Sequence, residues 1–518
     1  MIDFNKFKKL DKHTKDSILI IALFSIIVLS LTSIYYVSGD ACWQLSIGRH
    51  IGSNFKIPLF EQFGREEPFW APPLYHFVVA IIFYFFSLFN YNMANTAVKF
   101  ISPIFGILTL IFSFLTIKKL VSSKIAFYST LFTAFLPLFM DYSIFSYVES
   151  MLTFLVVLSV YFLVNGRILL SSIVAGLSIL TKYNGIFIVP VLFYFVYKIN
   201  KNDKKLLLKN LFIVSFVSLL IPMAWFIRNW LILGNPIWPF LNFIFKGFEA
   251  ASYSNFNGFW YIFNINTLVF TYLGFFGVPD GNPQNLLFFD VAYLNLLLTI
   301  WAIGTLIFIL PLVIGFFINP KKSKIFGNLK INNFQVKTNV KYLIYAWTGS
   351  YLVLFLLYVA NVGWSVSRML LPAVPAFAVL WAFGFDYLLH GFNYKNFIKI
   401  ALILIIAGLV FTEIAKILLA SAQWNLYNKD FEWVKANTGK NDIIMAGGQC
   451  LSYNFDKQTL TPKIENLNKA DYIWVNQKFK LDQRAIAKEY VLLKIKENNY
   501  EKVYENKKTG TLIYKVKQ

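Results

Sequence analysis

Apolar runs long enough to cross a lipid bilayer recur along this chain from the N-terminal region to about residue 419. A spanning helix needs about 20 mostly apolar residues, because the hydrocarbon core is roughly 30 Å thick and the helix must satisfy its own backbone polar groups there. Only 14% of the 518 residues are charged, whereas an average soluble domain has roughly 25%. These features predict a polytopic α-helical membrane protein and exclude a water-soluble globular fold.

The charge balance excludes further classes. The net charge is +22, from 48 Lys and Arg against 26 Asp and Glu. The cations lie between apolar runs and form no basic face interleaved with aromatic rings, so nucleic acid is not an expected partner. Two cysteines, Cys42 and Cys450, are too few for a disulfide framework or a cysteine-rich metal site. The first apolar run, residues 17–37, is longer than a signal-peptide core and lacks a small-residue cleavage site, so we expect a retained anchor.

The distribution of Lys and Arg predicts the orientation, because loops on the cytoplasmic side collect these residues. Five lysines precede residue 16, so we expect the N-terminus inside and the segment from Ser38 outside. The apolar stretch Leu74 to Phe89 is expected to be interfacial or re-entrant, because a span there would place the Lys118 cluster outside. About eleven spans and an outer C-terminus follow. We place the spans near residues 17–37, 98–117, 125–140, 150–165, 168–181, 185–198, 210–227, 291–317, 342–360, 369–389 and 397–419.

Three long segments are then outside, namely residues 38–97, 228–290 and 420–518. Charged residues return in the last of these, and short β-branched or aromatic runs flank a helix-like stretch, Asp482 to Asn498. This composition predicts a small extracytoplasmic α/β domain after a membrane module of residues 1–419. The strand-like runs are Asp442 to Ala446, Tyr472 to Val475 and Thr511 to Val516.

Both cysteines are expected outside, where disulfides persist. A bond between Cys42 and Cys450 would tie the tail to the first outer loop. Nothing in the sequence requires their pairing, and we favour two unpaired cysteines.

Candidate acids gather on the predicted outer side, and ionisable groups near membrane depth indicate function because they are costly there. Asp40 follows the first span directly after Gly39, with a helix-capping role as the alternative. Glu149 lies at the outer end of another span, where the helix dipole also favours a negative charge. Around Pro72 and Pro73, which suit the first turn of the interfacial helix, further candidates are Glu66, Glu67 and His76.

Three cations are also expected outside: Lys182, Arg228 and Arg368. Each one alone fits a side chain that reaches towards lipid phosphates. Together they run against the positive-inside bias, which favours a specific anionic ligand.

These motifs resemble the GT-C superfamily of membrane glycosyltransferases, and more narrowly its protein O-mannosyltransferases and lipid A aminoarabinose transferases. The resemblance covers roughly residues 17–385 and depends on the order of the motifs and their predicted side. It rests on Asp40 after the first span, Pro72-Pro73-Leu74, Glu149 before Leu152-Thr153-Phe154, Thr181-Lys182, Arg228-Asn229-Trp230 with Gly234-Asn235-Pro236, and Arg368 before Leu371-Pro372-Ala373-Val374-Pro375.

The chain also departs from the family pattern. Ala41 stands where the family often has Glu, and Glu149 replaces the commoner Asp. Ala71 stands where a Lys or His usually precedes the two prolines. This missing cation leaves the donor phosphate to Lys182, Arg228 or Arg368.

The resemblance implies transfer of a sugar from a polyprenyl-phosphate donor to a hydroxyl acceptor on a protein, lipid or glycan, at the extracytoplasmic face of the cell membrane. Asp40 is then the expected general base, and a single displacement would invert the anomeric configuration. Arg368 and Arg228 are expected at the phosphate ahead of Lys182, because a guanidinium binds phosphate through paired hydrogen bonds. The remaining expected site residues are the acids Glu149, Glu66 and Glu67 and the substrate contacts His76, Trp43 and Tyr75.

No cofactor is expected to be required, although the four acids could supply oxygens for Mg²⁺ or Mn²⁺, as in the related oligosaccharyltransferases. In the loop 228–290, aromatic residues fit the interfacial belt better than sugar stacking, and Asp280 fits a turn. They are Trp238, Tyr253, Phe256 and Trp260.

A multi-span transporter or lipid-linked sugar flippase is the main alternative function, and a noncatalytic scaffold is a third. Transporters usually have sites near the membrane midplane and inverted repeats. Here the ionisable groups crowd one face and no repeat is found. A scaffold would leave this concentration of acids and cations unexplained.

Overall fold

The computed structural model describes residues 9–248, 258–278, 309–317 and 340–516, with short gaps at 62, 364–365, 392–394, 440, 480, 482–484, 486, 488 and 499. It also describes two short paired strands, Leu329–Ile331 and Phe334–Val336. Several predictions fall outside the described residues. They concern Tyr253, Phe256, the turn with Asp280 and residues 291–308 of one predicted span.

The chain is a multi-pass membrane protein. Within the described ranges, six helical segments are long and apolar enough to cross a bilayer. The number eleven stays a prediction, because shorter apolar helices lie between these segments. The six are Lys12–Ile34, Tyr91–Leu120, Lys204–Leu233, Val340–Asn361, Ser367–His390 and Asn396–Asn425.

A seventh candidate span is broken. The helices Ser123–Phe135 and Pro137–Ile144 meet at 62°. Leu136 between them is extended, with φ −70° and ψ 120°, because a residue that precedes proline is disfavoured in the α region. Pro137 then starts the second helix, where its missing N–H leaves no helical hydrogen bond unmade.

Short apolar helices fill the bundle between the long ones. Ser159 and Ser171 each donate a hydroxyl hydrogen bond to the other's carbonyl at 2.9 Å, which joins two of these helices. A Cβ on Gly176 would lie 2.8 Å from Ile221 Cδ1, so glycine allows close helix contact there. The shorter elements are the helices Val148–Val164, Ile168–Thr181, Val189–Asn200, Asn242–Phe245 and Ile265–Phe275, the helical residues 309–317, and the 3-10 segments Tyr183–Ile188, Phe259–Phe263 and Ser367–Ala373.

The segment after the first span folds into two packed helices, Asp40–Asn54 and Leu74–Ser87, joined through a two-stranded hairpin. The hairpin pairs Phe60–Glu61 with Glu67–Pro68. At Gly52, a Cβ would lie 2.7 Å from the Ala80 carbonyl oxygen, so the helices touch closely. The 14-residue helix Leu74–Ser87 is only about 21 Å long, which is too short to cross the hydrocarbon core unaided.

The tail, residues 420–518, contains a five-stranded sheet. In spatial order its strands are Thr459–Leu460, Ile444–Met445, Tyr472–Val475, Thr511–Lys515 and Glu501–Asn506. The first three strands run parallel to one another. The fourth strand pairs antiparallel with the third, where Trp474 lies opposite Ile513, and antiparallel with the fifth. Three helices accompany the sheet: Asn428–Asn437, Gln449–Phe455 and Glu489–Glu497. Two hydrophobic clusters cover its faces, one with Trp474 and Phe455 and one with Ile473 and Val491.

The tail docks on the helix Asp40–Asn54. Cys42 and Cys450 form a disulfide with Cα atoms 5.0 Å apart, so the favoured expectation of two unpaired cysteines is wrong. Their sequence separation of 408 residues hides this proximity from sequence reasoning. Arg49 adds a hydrogen bond to the Tyr453 carbonyl at 2.9 Å and an ion pair with Asp456 at 3.4 Å.

Candidate active site

Asp40 begins the helix that follows the first span. Gly39 precedes it with φ 61°, a backbone conformation that glycine adopts without strain. The Asp40 backbone N–H donates to the Tyr147 hydroxyl at 3.1 Å. A Cβ on Gly39 would lie 2.2 Å from that same oxygen, so glycine is required for this contact. The turn therefore sets the position of the Asp40 carboxylate.

Two arginines hold the Asp40 carboxylate. Arg65 Nη2 lies 3.0 Å from Oδ1, and Arg368 Nη2 lies 2.8 Å from Oδ2. The Arg65 guanidinium lies 3.8 Å from the centre of the Trp43 ring, and that of Arg368 lies 5.3 Å from the Tyr147 ring. Both arginines are largely buried, yet 28% of the Asp40 side chain is exposed. The carboxylate is thus accessible although it is paired.

Glu149 joins the same cluster from the first turn of the helix Val148–Val164. Its Oε1 accepts a hydrogen bond from Lys182 Nζ at 2.7 Å and lies 3.6 Å from Arg368 Nε. Arg368 therefore bridges the two acids. The Val148 N–H donates to Gln44 Oε1 at 2.9 Å, which joins this helix to the one that carries Asp40.

Asp40, Glu149, Lys182 and Arg368 were all candidates from the sequence, and the structure brings them together with Arg65. We call these five residues the outer cluster. Arg65 was missed, although it carried the same signal as Lys182, a cation in a predicted outer segment.

Glu66 and Glu67 follow Arg65 but point to different neighbours. Glu67 lies 3.6 Å from Arg65 Nη1 and accepts a hydrogen bond from Trp70 Nε1 at 3.0 Å. Glu66 has φ 53°, and its carboxylate accepts hydrogen bonds from the backbone N–H and the hydroxyl of Thr461 at 2.8 and 2.9 Å. Glu67 thus borders the outer cluster, whereas Glu66 links the hairpin to the tail.

Arg228 braces the segment before Pro72. Its Nη1 donates to the Phe69 carbonyl and, at 2.7 Å, to Asn229 Oδ1. Asn229 Nδ2 donates to the neighbouring Trp70 carbonyl at 3.2 Å. These contacts belong to the wall of the site, and a contact between Arg228 and phosphate stays a prediction.

The three expected substrate contacts lie in an aromatic layer beneath the outer cluster. His76 is buried and meets the Trp43 ring edge-on at 5.6 Å. Tyr75 is buried and donates to the Ser146 carbonyl at 2.7 Å. Trp43 is buried below Arg65. Their contact with a substrate stays a prediction.

Glu61 is a second residue that sequence reasoning missed. It is buried and accepts hydrogen bonds from Trp43 Nε1 at 2.9 Å and the Phe63 N–H at 2.7 Å. Burial raises the pKa of Glu61 to about 7, although the Arg65 charge and the Phe63 N–H act in the opposite direction. Glu61 therefore fixes the ring on which Arg65 lies.

A second group of charges lies inside the helix bundle. Lys416 Nζ contacts Asp141 Oδ1 at 2.6 Å and Glu413 Oε2 at 2.5 Å. It also donates to the Gly277 carbonyl at 2.9 Å. Asp141, Glu413 and Lys416 form what we call the inner triad, and each side chain is at most 4% exposed.

The described ranges contain no preformed metal site of protein side chains. There, no group of three or more His, Cys, Asp or Glu side chains is arranged to hold an ion. In the outer cluster, Arg368 lies between the two carboxylates. The expectation about a divalent cation stays untested.

Comparison with known proteins supports one fold. Residues 71–227 match the family model for dolichyl-phosphate-mannose-protein mannosyltransferase. That range includes Glu149 and Lys182 and leaves out Asp40 and Arg368. No curated protein matches the chain by sequence.

Similar solved structures extend over nearly the whole chain. ArnT from Cupriavidus metallidurans in the apo state is 12% identical with a TM-score of 0.59, and 96% of this chain covers 97% of that one. The structure of the same protein bound to undecaprenyl phosphate is 13% identical in sequence with a TM-score of 0.58, and the match again covers 96% of this chain and 97% of that one. The Archaeoglobus fulgidus oligosaccharyltransferase in complex with Zn and sulfate is 13% identical with a TM-score of 0.53, and the match covers 96% of this chain and 73% of that one. The resemblance to GT-C glycosyltransferases is thereby confirmed at the level of the fold.

Proposed function

We propose that this protein is a glycosyltransferase that moves a sugar from a polyprenyl-phosphate carrier to a hydroxyl acceptor at the extracytoplasmic face of the membrane. The observation that carries this proposal is the outer cluster, in which Glu149 and three cations from distant segments meet around the accessible Asp40 carboxylate. The match to the mannosyltransferase family model and the fold shared with undecaprenyl-phosphate-bound ArnT support a lipid-phosphate donor.

Asp40 is the general base in this proposal. An acceptor hydroxyl is a weak nucleophile, and a carboxylate that takes its proton in the transition state contributes about 10²- to 10⁴-fold. The acceptor oxygen bonds to the anomeric carbon while the bond from that carbon to the phosphate oxygen breaks. One such displacement inverts the anomeric configuration.

The cations stabilise the departing group. The lipid phosphate gains a negative charge as the sugar leaves, and fixed positive charges lower the energy of that state more than that of the bound donor. Arg368 suits this role because its planar fork already contacts both acids. Glu149 is the positioning residue that holds Lys182 and Arg368.

The site and the tail belong on the extracytoplasmic side in this proposal, and the lysine-rich N-terminus on the cytoplasmic side. Because the tail contacts the helix that carries Asp40, both share one side. Labelling of single introduced cysteines with an impermeant reagent tests the orientation. Labelling of the tail from the cytoplasmic side alone would contradict it.

The transfer reaction itself is tested in detergent micelles with radiolabelled polyprenyl-phosphate sugars and a panel of hydroxyl acceptors. Asp40→Asn is expected to lower the transfer rate at least about 100-fold. Asp203→Asn is the matched control, since Asp203 caps the helix Lys204–Leu233 through the Leu206 N–H and asparagine caps equally well. Full activity in Asp40→Asn would remove Asp40 from the mechanism, and product NMR that shows retention would contradict a single displacement.

A further inference from the structure

Arg65 reaches the outer cluster from the turn between the two hairpin strands, and its Nη2 lies 3.0 Å from Asp40 Oδ1. We propose that Arg65 is a ligand of the donor phosphate: together with Arg368 it holds the Asp40 carboxylate, and Arg65 passes to the phosphate when the lipid donor binds. This inference rests on the proposed function and adds both a ligand and a means of releasing the base.

The Arg65 side chain is held from several sides. Its guanidinium lies 3.8 Å from the centre of the Trp43 ring, an arrangement favoured by the negative face of the ring. Trp43 is oriented in turn by its hydrogen bond to the buried Glu61. Only 17% of the Arg65 side chain is exposed, so it is a built part of the site and not a solvated surface arginine.

The tail holds the turn in which Arg65 lies. Gly64 has φ 90°, and a Cβ there would lie 2.6 Å from the Gly448 carbonyl carbon. On the other side of Arg65, Glu66 accepts hydrogen bonds from Thr461. The tail therefore fixes both neighbours of Arg65, which gives it a role in positioning this cation.

The charge balance of the reaction shows why an arginine that contacts the base is useful. Asp40 gains a proton from the acceptor hydroxyl and loses its negative charge. The electron pair of the sugar–phosphate bond goes to the phosphate oxygen, which gains one negative charge. A guanidinium within reach of both groups stabilises the charge before and after the transfer, because its five N–H donors serve two acceptors at once.

The outer cluster has the surplus of positive charge that such an exchange needs. Glu149 is paired with Lys182 at 2.7 Å, whereas Asp40 alone has two guanidinium partners. Glu67 offsets part of this surplus, but it is 3.6 Å from Arg65 and 30% exposed, so solvent weakens its effect. An entering phosphodiester anion can therefore take one guanidinium while the other stays with Asp40.

The test is the affinity for undecaprenyl monophosphate, measured on the full-length protein in detergent by microscale thermophoresis. Arg65→Gln is expected to weaken binding about tenfold or more, because it removes a charge-assisted hydrogen bond. Arg65→Lys keeps the charge without the fork and should recover part of the affinity. Arg167→Gln is the matched control, since Arg167 is exposed and lies at the opposite end of the helix Ile168–Thr181 from Lys182.

Asp40→Asn gives the result that a merely structural role for Arg65 would not produce. Without the carboxylate both guanidiniums are available, so Asp40→Asn should bind the lipid phosphate more tightly than the wild type. The double variant Asp40→Asn/Arg65→Gln should lose that gain. Misfolding cannot cause tighter binding, so this arm stays informative if Arg65→Gln is unstable.

Two results would overturn the inference: wild-type affinity in Arg65→Gln, or no gain of affinity in Asp40→Asn. The proposed function fails separately. If the variants show the expected binding pattern but the wild-type protein transfers no sugar from any donor, the transferase proposal alone is overturned. A wild-type protein that does not bind the lipid phosphate would overturn both.

Discussion

The outer cluster and the inner triad are both built from charges far apart in the chain, but they differ in exposure and in balance. In the outer cluster the Asp40 side chain is 28% exposed, and three cations face two acids. In the inner triad one lysine faces two acids, and all three side chains are sealed from solvent. A partly exposed charge such as that of Asp40 can exchange partners at a smaller cost than a sealed charge, whose loss of its partner is strongly destabilising.

The difference assigns the two groups to different tasks. Lys416 joins the helix Lys395–Asn425 to Asp141 of the broken span and to the Gly277 carbonyl. The helix of Asp141 leads into Tyr147 and Glu149, and the helix of Lys416 leads into the tail. The inner triad thus anchors the two parts of the chain on which the outer cluster depends.

Removal of the inner lysine should have the largest effect. Lys416→Ala leaves two buried acids without their cation, and breaking a buried ion pair costs about 3–5 kcal/mol. Thermal unfolding in detergent measures the loss. Lys118→Ala is the control, because the two side chains of the Lys118–Asp11 pair are 38% and 44% exposed and the pair should contribute at most about 1 kcal/mol. Equal shifts in the two variants would contradict the comparison.

Neutralisation in the outer cluster should affect activity more than stability. Arg368→Gln removes charge-assisted hydrogen bonds worth about 1.5–3 kcal/mol each, so kcat/KM for the lipid-linked donor should fall about 10- to 100-fold. Arg368→Lys should keep part of the activity. An unfolding shift as large as that of Lys416→Ala, with normal kinetics in the folded fraction, would make Arg368 a structural residue.

The disulfide tests whether the outer cluster depends on the tail. Cys42→Ser/Cys450→Ser should lower stability by about 2 kcal/mol, the low end of the usual range, because the membrane helices already restrain both ends of the loop. Donor affinity should fall as well, since the tail holds the turn of Arg65. Mass spectrometry of unreduced peptides checks the bond. Unchanged donor affinity in the double variant would show that the turn keeps its position without the disulfide.

The stability of the folded protein should depend on pH through Glu61. Its pKa is raised by burial from the ordinary value of 4.5 to about 7 in the folded protein. The protonated carboxyl therefore favours folding fully below pH 4.5, and this contribution declines as the pH rises and is lost above about pH 7. Glu61→Gln cannot ionise, so its melting temperature should fall less than that of the wild type between pH 5 and 8. Parallel curves would contradict the assignment.

Much of the outer cluster was predictable because its members carry a local signal. Asp40, Glu149, Lys182 and Arg368 each stand next to an apolar run in a predicted outer segment, and the two cations are unexpected there. Arg65 also lies in a predicted outer segment, but it stands between polar residues and not beside an apolar run, so its local signal is weaker. Glu61 had no such signal, because its importance comes from the burial of its side chain and from its hydrogen bond to Trp43.

Sequence alone determined that this chain is a multi-pass membrane protein, because hydrophobicity and charge bias are properties of short segments read along the chain. The motifs added a resemblance to GT-C glycosyltransferases. Only the tertiary structure decided which charges meet. Asp40 and Arg368 are 328 residues apart in the chain and Cys42 and Cys450 are 408 apart. Ion pairs and disulfides act over a few ångströms of space, and the packing of the helices sets those distances.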